Sequence, residues 1–306
     1  MKITRHATVC FWLSIVIVCA GSGPCRAQSG GATDPTGFRF LTIGGGARAV
    51  ALAETMVADG EDPFVTEYNP AGLVATKQFS LSFSHNVFFQ DTRGEYIAAA
   101  IPRGQWAFGA RLGYLGTGDI PLRTGPSQDP LGYYDATSGV LQGAVARAVD
   151  DRLSVGFSIA YVLEHIESET AQSVVLGFGA RFRVHRDAHV GISFANVGPK
   201  AKFEDQQFRM PDQVRLGAAW GRERLSLRGE MMAAEDESLR WHFGSEFTPD
   251  PRLALRAGLR IGYDTQTFSA GAGLRTPDQR VGIDYAFAPY SDDLGSTHRF
   301  GLTVRP

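Results

Sequence analysis

His185 and His189 stand four residues apart, the spacing at which two imidazoles on one helix face hold zinc. They flank Arg186-Asp187-Ala188, a turn between two strand-like stretches, so the helical geometry that this chemistry needs is missing. Ser84 and His85 put a nucleophile next to a base, yet consecutive strand residues face opposite sides and cannot form a pair. No Gly-x-Ser-x-Gly elbow occurs. Gly44-Gly45-Gly46-Ala47-Arg48-Ala49, after the apolar run Phe38 to Ile43, mimics a dinucleotide fingerprint, but no β-α-β succession follows it. Glu235-Asp236-Glu237 could hold a cation loosely and reads more simply as solvated loop charge. The chain is therefore expected to be no enzyme and to hold neither metal nor cofactor.

Arginine is left as the residue type with chemistry to offer, and the elements that carry it decide what it does. From Leu253 to Tyr263, Leu253, Leu255, Ala257, Leu259, Ile261 and Tyr263 share one face, while Arg252, Arg256, Gly258, Arg260 and Gly262 share the other. That period of two is a strand. Phe79, Leu81 and Phe83 alternate with serines, and Leu153, Val155, Phe157 and Ile159 with serine, glycine and alanine. Fourteen such stretches are expected, near 79–89, 94–101, 105–115, 138–149, 152–166, 172–184, 188–196, 211–221, 224–233, 239–248, 252–263, 267–276, 279–288 and 298–305. Most approach the ~9–11 residues that cross a bilayer obliquely.

The connections sort by length. Those after even-numbered strands are tight, as at Arg103-Gly104, Asp150-Asp151, Arg222-Glu223 and Pro277-Asp278. Several after odd-numbered strands are long: Gly116 to Thr137, Val197 to Met210 and Pro289 to Thr297. Tight turns at one end and longer loops at the other mark an outer-membrane barrel. The expected fold is all-β, a 14-stranded antiparallel transmembrane β-barrel. A soluble sandwich with one wet face is the alternative, and it leaves the long strands and the arginine face without a reason. Arginine at the bilayer midplane costs ~2–4 kcal/mol. Arg181, Arg183, Arg215, Arg228, Arg240, Arg256, Arg260, Arg275 and Arg299 should therefore face the lumen, with Glu230, Glu246 and Asp284 there to pair with them. Trp106, Tyr114, Tyr161, Trp220, Phe247, Tyr263 and Phe287 fall toward strand ends, where interfacial aromatics belong.

The chain has 306 residues, 43% of them hydrophobic, with 30 Lys+Arg against 32 Asp+Glu. That balance lacks the basic excess of a nucleic-acid protein. Lys2 and Arg5 precede an apolar run, Ala7 to Ala20, and Cys25-Arg26-Ala27 offers a cut after Ala27. Residues 1–27 read as a cleaved signal peptide, with a signal anchor as the alternative. Val18 and Pro24 before Cys19 and Cys25 speak against a lipoprotein. Cleavage removes all three cysteines, so thiol chemistry leaves with them, and 27 basic residues remain against 32 acidic ones. Residues 78–306 are the barrel, and 28–77 precede it.

That preceding segment breaks the strand pattern. A glycine turn at Gly44 to Gly46 leads into an expected helix, Ala47 to Ala58, and Asn69 is a plausible N-cap with Pro70 at the first helical position. In a barrel such a segment can sit in the lumen as a plug. Phe40-Leu41-x-Ile43-Gly44-x-Gly46-Ala47-Arg48-Ala49, then Asn69-Pro70-Ala71-Gly72-Leu73, resembles the opening of the PorV/PorQ family of bacterial outer-membrane proteins. Phe83-Ser84-His85, Asn196-x-Gly198-Pro199 and Thr297-His298-Arg299 extend the resemblance through the chain. That family is similar to the FadL transporters, which have fourteen strands and an N-terminal plug with an Asn-Pro-Ala motif. The resemblance implies a non-enzymatic barrel that binds or shuttles secreted proteins in type IX secretion. Its partners would be outer-membrane lipid, secreted cargo and translocon components, gripped by the three long loops. The alternative is a FadL-like conduit for small hydrophobic molecules, gated by the plug. The loops after strands 1, 5, 9 and 11 are short, and the chain ends in Pro306 where barrel proteins often end in an aromatic.

Overall fold

The computed structural model describes residues 35–125, 129–203, 206–234 and 238–306. The expected leader and the acidic run Glu235 to Glu237 lie outside them. Fourteen antiparallel strands close into one barrel. They are β1 (Ser80–Val87), β2 (Thr92–Arg103), β3 (Trp106–Leu122), β4 (Gly132–Ala148), β5 (Leu153–Ile166), β6 (Glu169–His185) and β7 (Ala188–Val197), followed by β8 (Gln213–Arg222), β9 (Leu225–Ala234), β10 (Arg240–Asp250), β11 (Leu253–Ile261), β12 (Phe268–Arg275), β13 (Val281–Tyr290) and β14 (Gly295–Val304). Each strand pairs with the next in the chain, and β14 closes on β1 with Phe83 opposite Leu302. The all-β, fourteen-stranded expectation agrees with this architecture.

Alternation sets the two faces of the wall. On β11, Leu255, Leu259 and Ile261 point outward and are half exposed, while Arg256 and Arg260 are buried inside. The outward apolar surface continues through Phe83, Leu112, Ile159, Phe178, Phe243 and Phe300. So continuous an apolar surface belongs against hydrocarbon. Closure satisfies every ladder and leaves no edge. Trp106, Tyr114, Tyr161, Trp220 and Phe247 are outward and exposed. Short turns face the periplasm, so the end bearing Lys77 and Arg305 is the periplasmic one.

Four features differ from expectation. The loop Gly116 to Thr137 is largely strand, because Ile120, Pro121 and Leu122 pair with Tyr134, Tyr133 and Gly132 beyond a bulge at the left-handed Asp119. Pro289 to Thr297 shrinks likewise, since Pro289 and Tyr290 pair with Ser296 and Gly295. Val197 to Met210 folds into a small hairpin, Ala201–Phe203 with Gln206–Phe208, and packs Ala201 and Met210 against Phe38 and Phe40. Tyr263, expected among the interfacial aromatics, stands inside, its ring 4.3 Å from the Arg240 guanidinium. Gly262, at φ +89, ends the alternation and turns the next side chain inward.

The chain from Thr36 to Lys77 occupies the lumen. It enters at the extracellular end, where Gly37 N donates to Arg209 O at 3.0 Å and Arg209 N to Pro35 O at 3.0 Å. It contains α1 (Ala47–Ala51), α2 (Val65–Tyr68) and two 3-10 turns, Arg39–Thr42 and Pro70–Ala75. The helix expected over Ala47 to Ala58 stops at Ala51, because Ala53 and Glu54 take left-handed φ of 53° and 62°. This reversal carries the Ala53 carbonyl to His242 on β10, 2.8 Å away.

Candidate functional site

The inner wall receives the plug on glycines. A Cβ built on Gly301 of β14 would meet Ala47, and one on Gly271 of β12 would meet Ala51. Gly258 of β11 would meet Ala53, Gly217 of β8 would meet Val57, and Gly191 of β7 would meet Val57 and Ala58. Gly179 of β6 would meet Asn69, Gly156 of β5 would meet Pro70 and Ala71, and Gly109 of β3 would meet Thr66 and Leu73. The plug thus winds along the wall from β14 to β3 as its residue numbers rise. Only the missing side chain allows backbone to approach backbone this closely.

Charge joins plug to wall in two layers. In the lower layer, Arg48 reaches Asp59 at 3.0 Å and Glu246 at 3.2 Å. Arg228 bonds the same Asp59 at 3.1 Å. Arg256 bonds Glu246 and Asp284, each at 2.6 Å. The upper layer joins Arg260 to Glu54 at 2.9 Å and Arg215 to Glu230 at 2.8 Å. Glu54 also accepts from Gly44 N at 3.1 Å, and Glu230 accepts from Val57 N at 3.1 Å. Arg181 donates to Ala58 O at 2.9 Å, and Arg240 lies over Tyr263. Burial opposes ionisation of Glu54, but the guanidiniums of Arg260, Arg215 and Arg299 outweigh it and hold the carboxyl down at about 2. Burial likewise opposes the charge on Asp59, and Arg228 and Arg48 outweigh it and hold that carboxyl low.

The motif residues lie at the joints. Asn69, with no exposed surface, donates to Val57 O at 2.6 Å and to Ala180 O at 3.1 Å, and accepts from Ala71 N at 3.0 Å. Pro70 opens the 3-10 turn that follows. Gly72 passes so close to Asp59 O and Val65 that a Cβ has no room, and Gly46 abuts the Phe64 ring in the same way. Ala47 starts α1 against Ala286 and Ala288. Ser84 points inward and donates to Asn86 at 2.9 Å, whereas His85 points outward to Glu95 at 2.6 Å. Among the described residues, no group of histidines and acids is placed to hold a metal.

Sequence reading paired the wall arginines with wall acids and missed the plug's share. Glu54, Asp59, Asp62 and Glu67 all bond arginines or backbone of the lumen. Their signal is five acids between Glu54 and Glu67 with no basic residue among them. Missed too was an apolar interior. Val140, Val162 and Val175 face inward from β4, β5 and β6, and Phe38, Phe40 and Leu41 pack on them in the extracellular half. Between the two charged layers and this apolar cap, the lumen is filled. A polar cavity of about 300 Å³ opens at the periplasmic mouth beside Arg48 and Arg275, and one of about 200 Å³ beside Asp59 and Arg228.

No family model and no curated protein matches the chain. Solved structures do resemble it. The Pseudomonas putida toluene transporter TodX superposes with a TM-score of 0.70 at 12% identity, over 86% of this chain and 99% of that one. The Ralstonia pickettii toluene transporter TbuX gives 0.64 at 15%, over 87% and 99%. A Pseudomonas aeruginosa FadL homologue gives 0.60 at 12%, over 85% and 97%. The chain has the fold of these FadL-like outer-membrane barrels.

Proposed function

We propose that this protein is a FadL-like conduit for small hydrophobic molecules in the outer membrane of a Gram-negative-type bacterium. The observation that carries the reading is the inward apolar surface of Val140, Val162 and Val175, covered by Phe38, Phe40 and Leu41 at the extracellular end. A small apolar molecule can replace those side chains one for one at little cost in buried area. Two of the similar structures are toluene transporters, which supports the same substrate class. On this reading residues 1–27 are a leader removed on export, 28–77 the gate and 78–306 the wall. The motif residues Gly44, Gly46, Ala47, Arg48, Asn69, Pro70, Ala71 and Gly72 shape the gate. The charges Arg181, Arg215, Arg228, Glu230, Arg240, Glu246, Arg256, Arg260 and Asp284 hold it. The PorV/PorQ carrier reading has less support, because two of the three loops assigned to cargo are mostly strand and the third packs inward.

The test is uptake of a neutral hydrocarbon by vesicles holding the purified barrel. Toluene entry several-fold above empty vesicles, increased further in Phe38→Ser/Phe40→Ser, is the expected result. Entry no faster than into empty vesicles, with secreted proteins recovered on the barrel from detergent-extracted outer membranes, would return the carrier role to first place.

A further inference from the structure

The periplasmic cavity is lined by Arg48, Lys77, Arg275 and Arg305 and by the carboxylates of Glu61, Asp62, Glu246 and Asp284. Each lining carboxylate already has a partner. Glu246 is gripped by Arg48, Arg228 and Arg256, Asp284 by Arg256, and Glu61 by Lys77 at 3.0 Å. Asp62 accepts from Phe64 N at 2.9 Å and lies 3.9 Å from Arg48. Arg275 and Arg305 remain, and among the described residues neither guanidinium has a carboxylate within bonding distance. Two guanidinium forks around one cavity match the acceptor geometry of a carboxylate, sulfonate or phosphate group. The enclosing wall makes that attraction stronger than it is in bulk water.

We propose that the periplasmic mouth is an oxyanion site, held by Arg275 and Arg305. The anion is either a free inorganic oxyanion or the head of an amphiphile leaving the lumen, and in the second form the proposal rests on the conduit reading. The site sits below the charged layers, so an acidic head released there meets the arginines last.

Calorimetric titration of the purified chain in neutral detergent with hexanoate, hexanol and inorganic phosphate tests it. Hexanoate should bind at least tenfold tighter than hexanol. Arg275→Gln and Arg305→Gln should each weaken hexanoate about tenfold, whereas Arg152→Gln, in an exposed turn, leaves it unchanged. Phosphate that binds and competes with hexanoate assigns the site to free oxyanions; hexanoate binding without phosphate binding assigns it to amphiphile heads. Absence of saturable binding by either anion overturns the proposal, as does hexanoate binding no tighter than hexanol, a comparison that needs no variant to fold. Toluene uptake is scored separately, so loss of the conduit reading and loss of the anion site are separate results.

Discussion

Asn69 ties three backbone segments with one side chain. Replacing it by alanine leaves the carbonyls of Val57 and Ala180 without their donor inside a packed lumen, at about 1–3 kcal/mol for each. Asn69→Ala should lower the temperature at which the barrel loses its compact gel migration, while the expression level stays unchanged. Glu54 makes a prediction in pH. Its folded carboxyl titrates at about 2 against an ordinary 4.5, so its ion pair stabilises the fold fully above about pH 4.5 and is lost as pH falls toward 2. The gap in unfolding temperature between wild type and Glu54→Gln should be widest at neutral pH and close between pH 4.5 and 2.

The glycine seats belong to the scale of the element. On Gly156 and Gly258 an added side chain would strike plug backbone nitrogen, which cannot rotate away. Gly156→Val and Gly258→Val should therefore lift the plug and leave a closed wall. The measurement is sensitivity to a large antibiotic that intact outer membranes exclude, expected to rise several-fold. The strands themselves were legible because alternation is local: Leu255 and Arg256 declare opposite faces without reference to anything distant. What escaped needed partners far along the chain. Tyr133 pairs with Pro121 only because β3 and β4 continue past the bilayer together. Asp59 finds Arg228, and the Ala53 carbonyl finds His242, across the lumen. Periodicity carries no record of such meetings, and a single left-handed pair at Ala53 and Glu54 was enough to cut a seven-residue tail from the expected helix. The Gly44–Arg48 and Asn69–Gly72 motifs were visible as motifs, but the carboxylates between them that bond the wall were not.

The wall closes on itself without the plug, since every ladder runs between strands. Deleting residues 36–77 should leave a heat-modifiable barrel with a wide water-filled pore. Arg111, Arg181, Arg215, Arg228, Arg256, Arg260 and Arg299 would then face the fewer acids Glu164, Glu230, Glu246 and Asp284, so the pore should select anions over cations in bilayer recordings. With the plug in place the signature differs. The plug lies along its glycines in strand order, from β14 round to β3, and is also tied to itself, Asn69 to the Val57 carbonyl, Gly72 against Asp59 and Gly46 against the Phe64 ring. A coil stitched across in this way cannot lift residue by residue, so its halves leave the wall together. A current record of the wild-type barrel under rising voltage should accordingly show a single jump, where a ribbon peeling from one end would climb a staircase of small increments.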